Sequence, residues 1–235
     1  MEIVPLRPDR YGETARMLSR AFWDDPMWSF LTPDPAARPR TTAWVIEHWS
    51  RVVAPLGASW VAVDDGGGII GAALWFPPGK FDISLGGMLR VGYWRMPLDL
   101  GLRWTVRSWG IFREGVDHQV GLMRPPRRSP KRRERKLEPY WVLDVLGVDP
   151  SRQGSGVGRK LVELGLELAD REGVASFVVT HKKANVGYYE RFGFVLVDEY
   201  RMSGGGPTAY SLRRSAKRTG SDGSDGSDRS DRSED

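Results

Sequence analysis

Residues 140–148, YWVLDVLGV, form the run that most limits what this chain can become. They are apolar but for one aspartate and lead directly into Asp149-Pro150, which reads as a strand buried within a sheet. The glycine run Gln153-Gly-Ser-Gly-Val-Gly158 follows, and 159–172 (RKLVELGLELADRE) then carry Leu161, Val162, Leu164 and Leu168 on one side of a helix. Further on, 175–180 read as a strand, 185–192 as a short helix, and 194–201 and 207–212 as strands. Strand, glycine loop, helix, strand, helix, strand requires an α/β domain with at least one crossover unit.

Upstream, 2–6 read as a short strand, and Asp9 is the expected N-cap of a helix running to Phe22 and stopped by Pro26. Apolar residues at 44, 45, 49, 52 and 53 predict a helix within 36–55. Two apolar runs, 59–63 and 69–76, flank Asp64-Asp-Gly-Gly-Gly68 and predict a hairpin. Residues 83–122 read as two helices broken near Pro97. All ten tryptophans lie before residue 142, so the first half supplies bulky aromatic walls and the second is a tryptophan-free module. The expected organisation is one domain over 1–215, with 83–136 a helical and basic-loop insertion, and a disordered Ser/Asp/Gly-rich tail over 216–235.

Composition removes several function classes. There is no cysteine, which excludes disulfides, thiolate metal sites and a cysteine nucleophile. Three histidines, at 48, 118 and 181, do not suggest a metal site, and none is expected. The N-terminal MEIVPLRPDR lacks the apolar run of a signal peptide, and no stretch reaches the roughly 20 apolar residues of a spanning helix. A cytoplasmic location with no membrane partner is therefore expected. The net charge of +5 resides in residues 124–136, where eight Lys or Arg meet one Glu, while the tail carries four basic against six acidic groups. Charge confined to one proline-broken segment reads as a solvated loop or a polyanion contact, and a nucleic-acid partner is not expected.

The glycine run has two physical readings. It is a tight turn, or it is an anion cradle, since amides between a strand and a helix converge on one spot with the helix dipole behind them. A nucleotide P-loop would end in Gly-Lys-Ser/Thr, whereas Gly158 is followed by Arg159-Lys160-Leu161. A dinucleotide fingerprint would place an acid at the end of the next strand, where Thr180-His181 stand. The spacing Gln153-x-x-Gly156-x-Gly158 instead resembles the pyrophosphate loop of the GNAT superfamily of acyl-CoA N-acyltransferases. Leu146-Gly-Val-Asp-Pro150 is similar to the end of that superfamily's fourth strand. Asn185-x-x-x-Tyr189-Glu-Arg-Phe-Gly193-Phe194 resembles its signature on the following helix. The segments AFWDDP at 21–26, EPYW at 138–141 and GGGP before the last strand are similar to the puromycin N-acetyltransferase-like branch.

The resemblance implies a mixed, mostly antiparallel central sheet flanked by helices, with splayed fourth and fifth strands and acetyl-CoA as co-substrate between them. It implies that Leu146, Gly147 and Val148 meet the pantetheine arm through their backbone. By the same likeness Gly154, Ser155, Gly156, Val157, Gly158 and Arg159 hold the pyrophosphate, and Asn185 contacts the cofactor arm. Tyr189 stands where the superfamily places its general acid, and its neighbour Tyr188 reads as a packing residue. Glu138 matches the acidic residue of the branch as base. Asp144, an acid inside an apolar strand, is its rival, and bulk solvent is a third possibility. Trp23, Asp24, Asp25, Trp28 and the aromatics of 93–109 are candidates for an acceptor pocket. The acidic pair could attract a cationic amine or merely cap a helix. His181 reads as a polar loop residue.

The expected activity is transfer of an acetyl group to a primary amine of a small molecule, an antibiotic or aminonucleoside being the suggested class, by a monomer or homodimer. A protein or peptide N-acetyltransferase and a non-catalytic acyl-CoA-binding module are the alternatives.

Overall fold

The computed structural model describes residues 1–81, 84–123 and 139–217. The basic run 124–136, Glu138 and the tail from 218 lie outside the described residues. Seven strands among the described residues form one sheet: β1 (Glu2–Pro5), β2 (Ser59–Val63), β3 (Ile69–Phe76), β4 (Trp141–Val148), β5 (Ser176–Thr180), β6 (Val195–Arg201) and β7 (Thr208–Arg214). Their order is β1-β2-β3-β4-β5-β7-β6, antiparallel throughout except for the parallel pair β4 and β5. The helices are α1 (Tyr11–Ala21), α2 (Pro26–Leu31), α3 (Arg38–Val53), α4 (Leu85–Arg90), α5 (Met96–Leu100), α6 (Leu102–Leu122), α7 (Val157–Glu172) and α8 (Ala184–Glu190).

The sheet separates two cores. On one face Leu74 and Phe76 of β3, Val142 of β4 and Phe177 of β5 pack with Ala15, Leu18, Ile46 and Val53 of α1 and α3. On the other, Trp75, Leu143 and Val178 pack with Leu161, Val162 and Leu166 of α7 and with Tyr189 of α8. Strand alternation sends neighbouring residues of β3 to opposite cores, so the whole strand is buried. Edge strand β6, by contrast, alternates exposed and half-buried positions.

Several helix boundaries differ from the sequence expectation. Asp9 is not an N-cap: Pro8–Arg10 form a 3-10 turn that runs straight into α1, and Thr14 Oγ1 donates to the Arg10 carbonyl instead. Pro26 opens a helix, with Asp25 as its cap accepting from the amides of Met27 and Trp28. Proline suits a first helical turn because the N–H it lacks has no intrahelical partner there. Pro97 likewise sits in the first turn of α5, and the chain changes direction at Gly92 and Gly101, both at positive φ.

Helices α4–α6 are anchored along one side. Trp44 Nε1 of α3 donates to Asp99 Oδ2 at 2.9 Å, and Trp104 Nε1 donates to Thr32 Oγ1 at 2.9 Å. At the other end of α6, His118 bonds Asp198 of β6 at 2.8 Å, and Tyr200 donates to Glu114 at 2.5 Å.

The approach of α7 to the sheet depends on Gly165, where a Cβ would overlap the Trp75 ring. Alanine normally stabilises a helix interior by about 1 kcal/mol over glycine. Here the clash reverses the sign. Gly165→Ala is expected to destabilise the protein by about 1–3 kcal/mol, read as a lower midpoint in urea unfolding; an unchanged or higher midpoint would contradict this packing.

Candidate active site

Strands β4 and β5 share only three register positions: Trp141 with Ser176, Val142 with Phe177, and Leu143 with Val178. Beyond them β4 stays paired to β3 as far as Val148 but leaves β5. The departure coincides with an irregularity in the other ladder. Val145 faces Leu74 and Leu143 faces Trp75, so Asp144 is an extra residue on β4, a bulge that bends the strand. Leu146, Gly147 and Val148 therefore present backbone to an opening on the β5 side.

That opening is one wall of a cleft of about 1070 Å³, also bounded by the glycine loop, the start of α7, one side of α8 and the end of α1. The loop turns through left-handed glycines at 154 and 156, the latter being the N-cap of α7. The amides of Val157, Gly158 and Arg159 are the first three of that helix and have no carbonyl one turn back to bind. Gln153 folds back, its Nε2 donating to the Val148 carbonyl at 3.3 Å, and closes the turn onto the end of β4. Ser155 Oγ donates to the Arg152 carbonyl at 2.5 Å. Arg20 of α1 grips Asp149 at 2.6 Å, holding α1 beside the loop. Gly158 makes room for Tyr188: a Cβ there would stand 3.0 Å from the Tyr188 hydroxyl. Tyr188 packs against the α7-side core, as the sequence suggests, and also places its hydroxyl beside the first turn of α7.

Tyr189 lies in the α7-side core yet also lines the cleft, with its ring edge-on to Phe194 at 5.9 Å. Burial pushes its hydroxyl well above the ordinary tyrosine range, and the neighbouring Tyr188 and Asp25 add to the effect. It is a protonated group at neutral pH. Asn185 lines the same cleft, but its Nδ2 donates to Thr180 Oγ1 at 3.0 Å, tying α8 to the end of β5. Its side-chain carbonyl and second N–H are what remain for a ligand.

The acidic pair of the α1–α2 turn is used structurally. Asp25 caps α2, and Asp24 pairs with Lys182 at 2.6 Å. Trp23 is exposed beneath Arg38, and Trp28 packs edge-on against Phe112. These aromatics do not converge on one pocket. Another group, which includes Tyr93 of the expected 93–109 aromatics, meets on the α3 side of the bulge. Trp49 Nε1 donates to Asp144 Oδ2 at 2.5 Å, and the hydroxyl of Tyr93 feels the Asp144 charge. Burial raises the Asp144 carboxyl to about 6, against which the Trp49 hydrogen bond works. The sequence marks Asp144 as the rival base to Glu138; its partner Trp49 is 95 residues away, a pairing that no spacing signals. His181 follows β5, and burial pushes it down to about 4, so its imidazole is neutral at physiological pH. No group of His, Asp and Glu suited to a metal ion occurs among the described residues.

Because Asp144 ionises at a higher pH in the folded chain than in an unfolded one, its proton favours the folded state. Stability is therefore lost as the pH rises from about 4 through about 6 and is flat above. Asp144→Asn keeps an acceptor for Trp49 and removes the buried charge. A rise in Tm of a few degrees at pH 7.5, shrinking at pH 4, is the expected result in thermal melts; a fall at pH 7.5 would contradict it.

Residues 108–194 match the model of the Acetyltransferase (GNAT) family. An uncharacterised N-acetyltransferase of Schizosaccharomyces pombe is 27% identical over 190 residues, covering 79% of this chain and 70% of the yeast protein. Among solved structures, one described as histone acetyltransferase HPA2 and related acetyltransferase, from Corynebacterium glutamicum, superposes with a TM-score of 0.61 at 21% identity, over 92% of this chain and 97% of that one. Arylalkylamine N-acetyltransferase 2 of Aedes aegypti gives a TM-score of 0.61 at 16% identity, over 92% and 99% of the two chains. None of these three is described as a puromycin acetyltransferase.

Proposed function

We propose that this chain, which carries a GNAT acetyltransferase domain, transfers an acetyl group from acetyl-CoA to a primary amine of a small molecule. The observation that carries this reading is the parting of β4 and β5 beside the glycine loop. Free strand backbone at Leu146–Val148 suits the amides of a pantetheine arm. The turn at 154–159 and the N-terminus of α7 suit a pyrophosphate. The cleft has the size for such a ligand, and Leu146, Val148 and Phe22 give it apolar walls.

In the reaction the amine nitrogen attacks the thioester carbonyl carbon, the C–S bond breaks, and the thiolate takes a proton. Tyr189 is assigned as the donor of that proton, because burial keeps its hydroxyl protonated and it lines the cleft. An ammonium acceptor must first lose a proton. Of the two carboxylates considered from sequence, Glu138 lies outside the described residues, and Asp144 sits at the bend of β4 with its carboxyl raised to about 6. Asp144 is ionised at neutral pH and basic enough to accept the proton directly or through a water.

A small acceptor is supported by the wall that α3 and the Tyr93 turn build over the Asp144 side, with Trp44, His48 and Tyr93 in mutual ring contact. A peptide would need an open groove there. The related proteins act on both kinds of acceptor by their descriptions, so the puromycin-type branch, an antibiotic-resistance role and a cytoplasmic setting stay within this proposal.

Incubation with acetyl-CoA and a panel of amines, puromycin and peptide N-termini included, with products read by mass spectrometry, tests the reading. Acetylated small amines are expected, with kcat reduced about 10²–10⁴-fold in Tyr189→Phe. Activity should rise with pH along a limb near 6 that Asp144→Asn abolishes. Acetylation of peptides alone would overturn the acceptor assignment. An unchanged Tyr189→Phe would overturn the proton donor.

A further inference from the structure

Eight of the twelve large apolar side chains exposed among the described residues lie within residues 85–116, in α4–α6. On α6 they follow a single stripe: Leu102, Val106, Trp109 and Val116 recur at steps of four, three and seven, with Arg113 filling the remaining position. Leu98 of α5, 77% exposed, and Trp94, 60% exposed, extend the stripe beyond the helix start. The opposite side of α6 is the packed one, where Trp104, Ile111 and Phe112 meet Met27 and Leu31 of α2.

The charges of this region are sorted as sharply. From Leu85 to Val116 every exposed side chain is apolar or an arginine, the arginines being 90, 95, 103, 107 and 113. The two carboxylates of the same stretch turn inward. Asp99 receives Trp44 and pairs with Arg95, and Glu114 receives Tyr200 and the Ser203 amide. An exposed acid first occurs at Asp117, near the far end of α6, paired with Arg113.

Leucine, valine and tryptophan projecting outward among arginines, with no exposed carboxylate between them, are the chemistry of a helix lying in a lipid interface. We propose that the α4–α6 face docks on an anionic lipid surface, the arginines meeting headgroups while Leu98, Leu102, Val106 and the two tryptophans enter the acyl boundary. The sequence reading expects no membrane partner, and no described helix is long and apolar enough to cross one; docking on the surface needs no span. A second copy of the chain fits the face poorly. A two-fold contact would set arginines against arginines, and the one exposed acid at the end of the stripe, Asp117, is already paired with Arg113.

The test is co-sedimentation of the full chain with vesicles of phosphatidylcholine containing about 30% phosphatidylglycerol, beside vesicles of phosphatidylcholine alone. The protein is expected to partition onto the anionic vesicles, and Leu102→Glu with Val106→Glu to lower that partition at least about tenfold. Both positions are about two-thirds exposed, so the double variant should keep the wild-type melting curve, and Trp109→Ala provides an independent weaker case. Neutralising the basic residues of 124–136 is the control. Partition abolished by that change but untouched by the double variant would overturn the proposal in favour of the basic run. Failure to bind either vesicle would overturn it, as would a dimer in light scattering that the double variant breaks.

Discussion

Everything the candidate site can do depends on two parallel strands that part after three residues. A parallel pair in a sheet buried on both faces would ordinarily continue to the strand ends, because each unmade backbone hydrogen bond in the interior is costly. Here β4 goes on for five residues beyond Leu143 without β5. The bulge at Asp144 turns the strand where β5 leaves it, and β3 keeps the other edge of β4 satisfied to Val148. The outcome is a strand edge inside the molecule, facing the glycine loop that follows it directly in sequence. An edge of this kind accepts an extended amide-bearing ligand as a further strand would, without exposing the sheet to other chains.

The bulge also places the chemistry. It sets Asp144 on the α3 face together with Val142 and Val145, while Leu146 and Val148 turn to the α7 face. One bend thus puts a carboxylate held by Trp49 on the α3 side, proposed for the acceptor, and an apolar wall on the α7 side, proposed for the cofactor. Tyr189 approaches from α8, which Asn185 ties to Thr180 at the end of β5. The two strands that part therefore carry, directly or by one hydrogen bond, the groups assigned to opposite ends of the proton traffic.

The second half of the chain was legible because its signals are local. A strand, a glycine turn and an amphipathic helix in succession leave little freedom, and β4, α7, β5 and α8 lie within a few residues of where the spacing predicts them. The first half was less so, for two physical reasons. Prolines 26 and 97 read as stops, yet each occupies a first helical turn, and only the cap residue before Pro26 distinguishes the cases. Of the aromatics beside Asp144, Tyr93 falls within the expected 93–109 group, while Trp49 lies outside it. Trp23 and Trp28 are committed to Arg38 and Phe112, whereas Trp49 and Tyr93 meet Asp144 through contacts of long sequence separation that no periodicity encodes. The bulge itself has no sequence signature beyond an acid in an apolar run.

The unpaired edge of β4 and the turn after it are proposed as one binding surface for acetyl-CoA. Amide hydrogen exchange with and without CoA measures that surface directly. Slowed exchange concentrated in residues 145–148 and 154–159, with β1 and β2 unaffected, is the result this account requires. Protection elsewhere in the chain, with these amides exchanging as before, would contradict it.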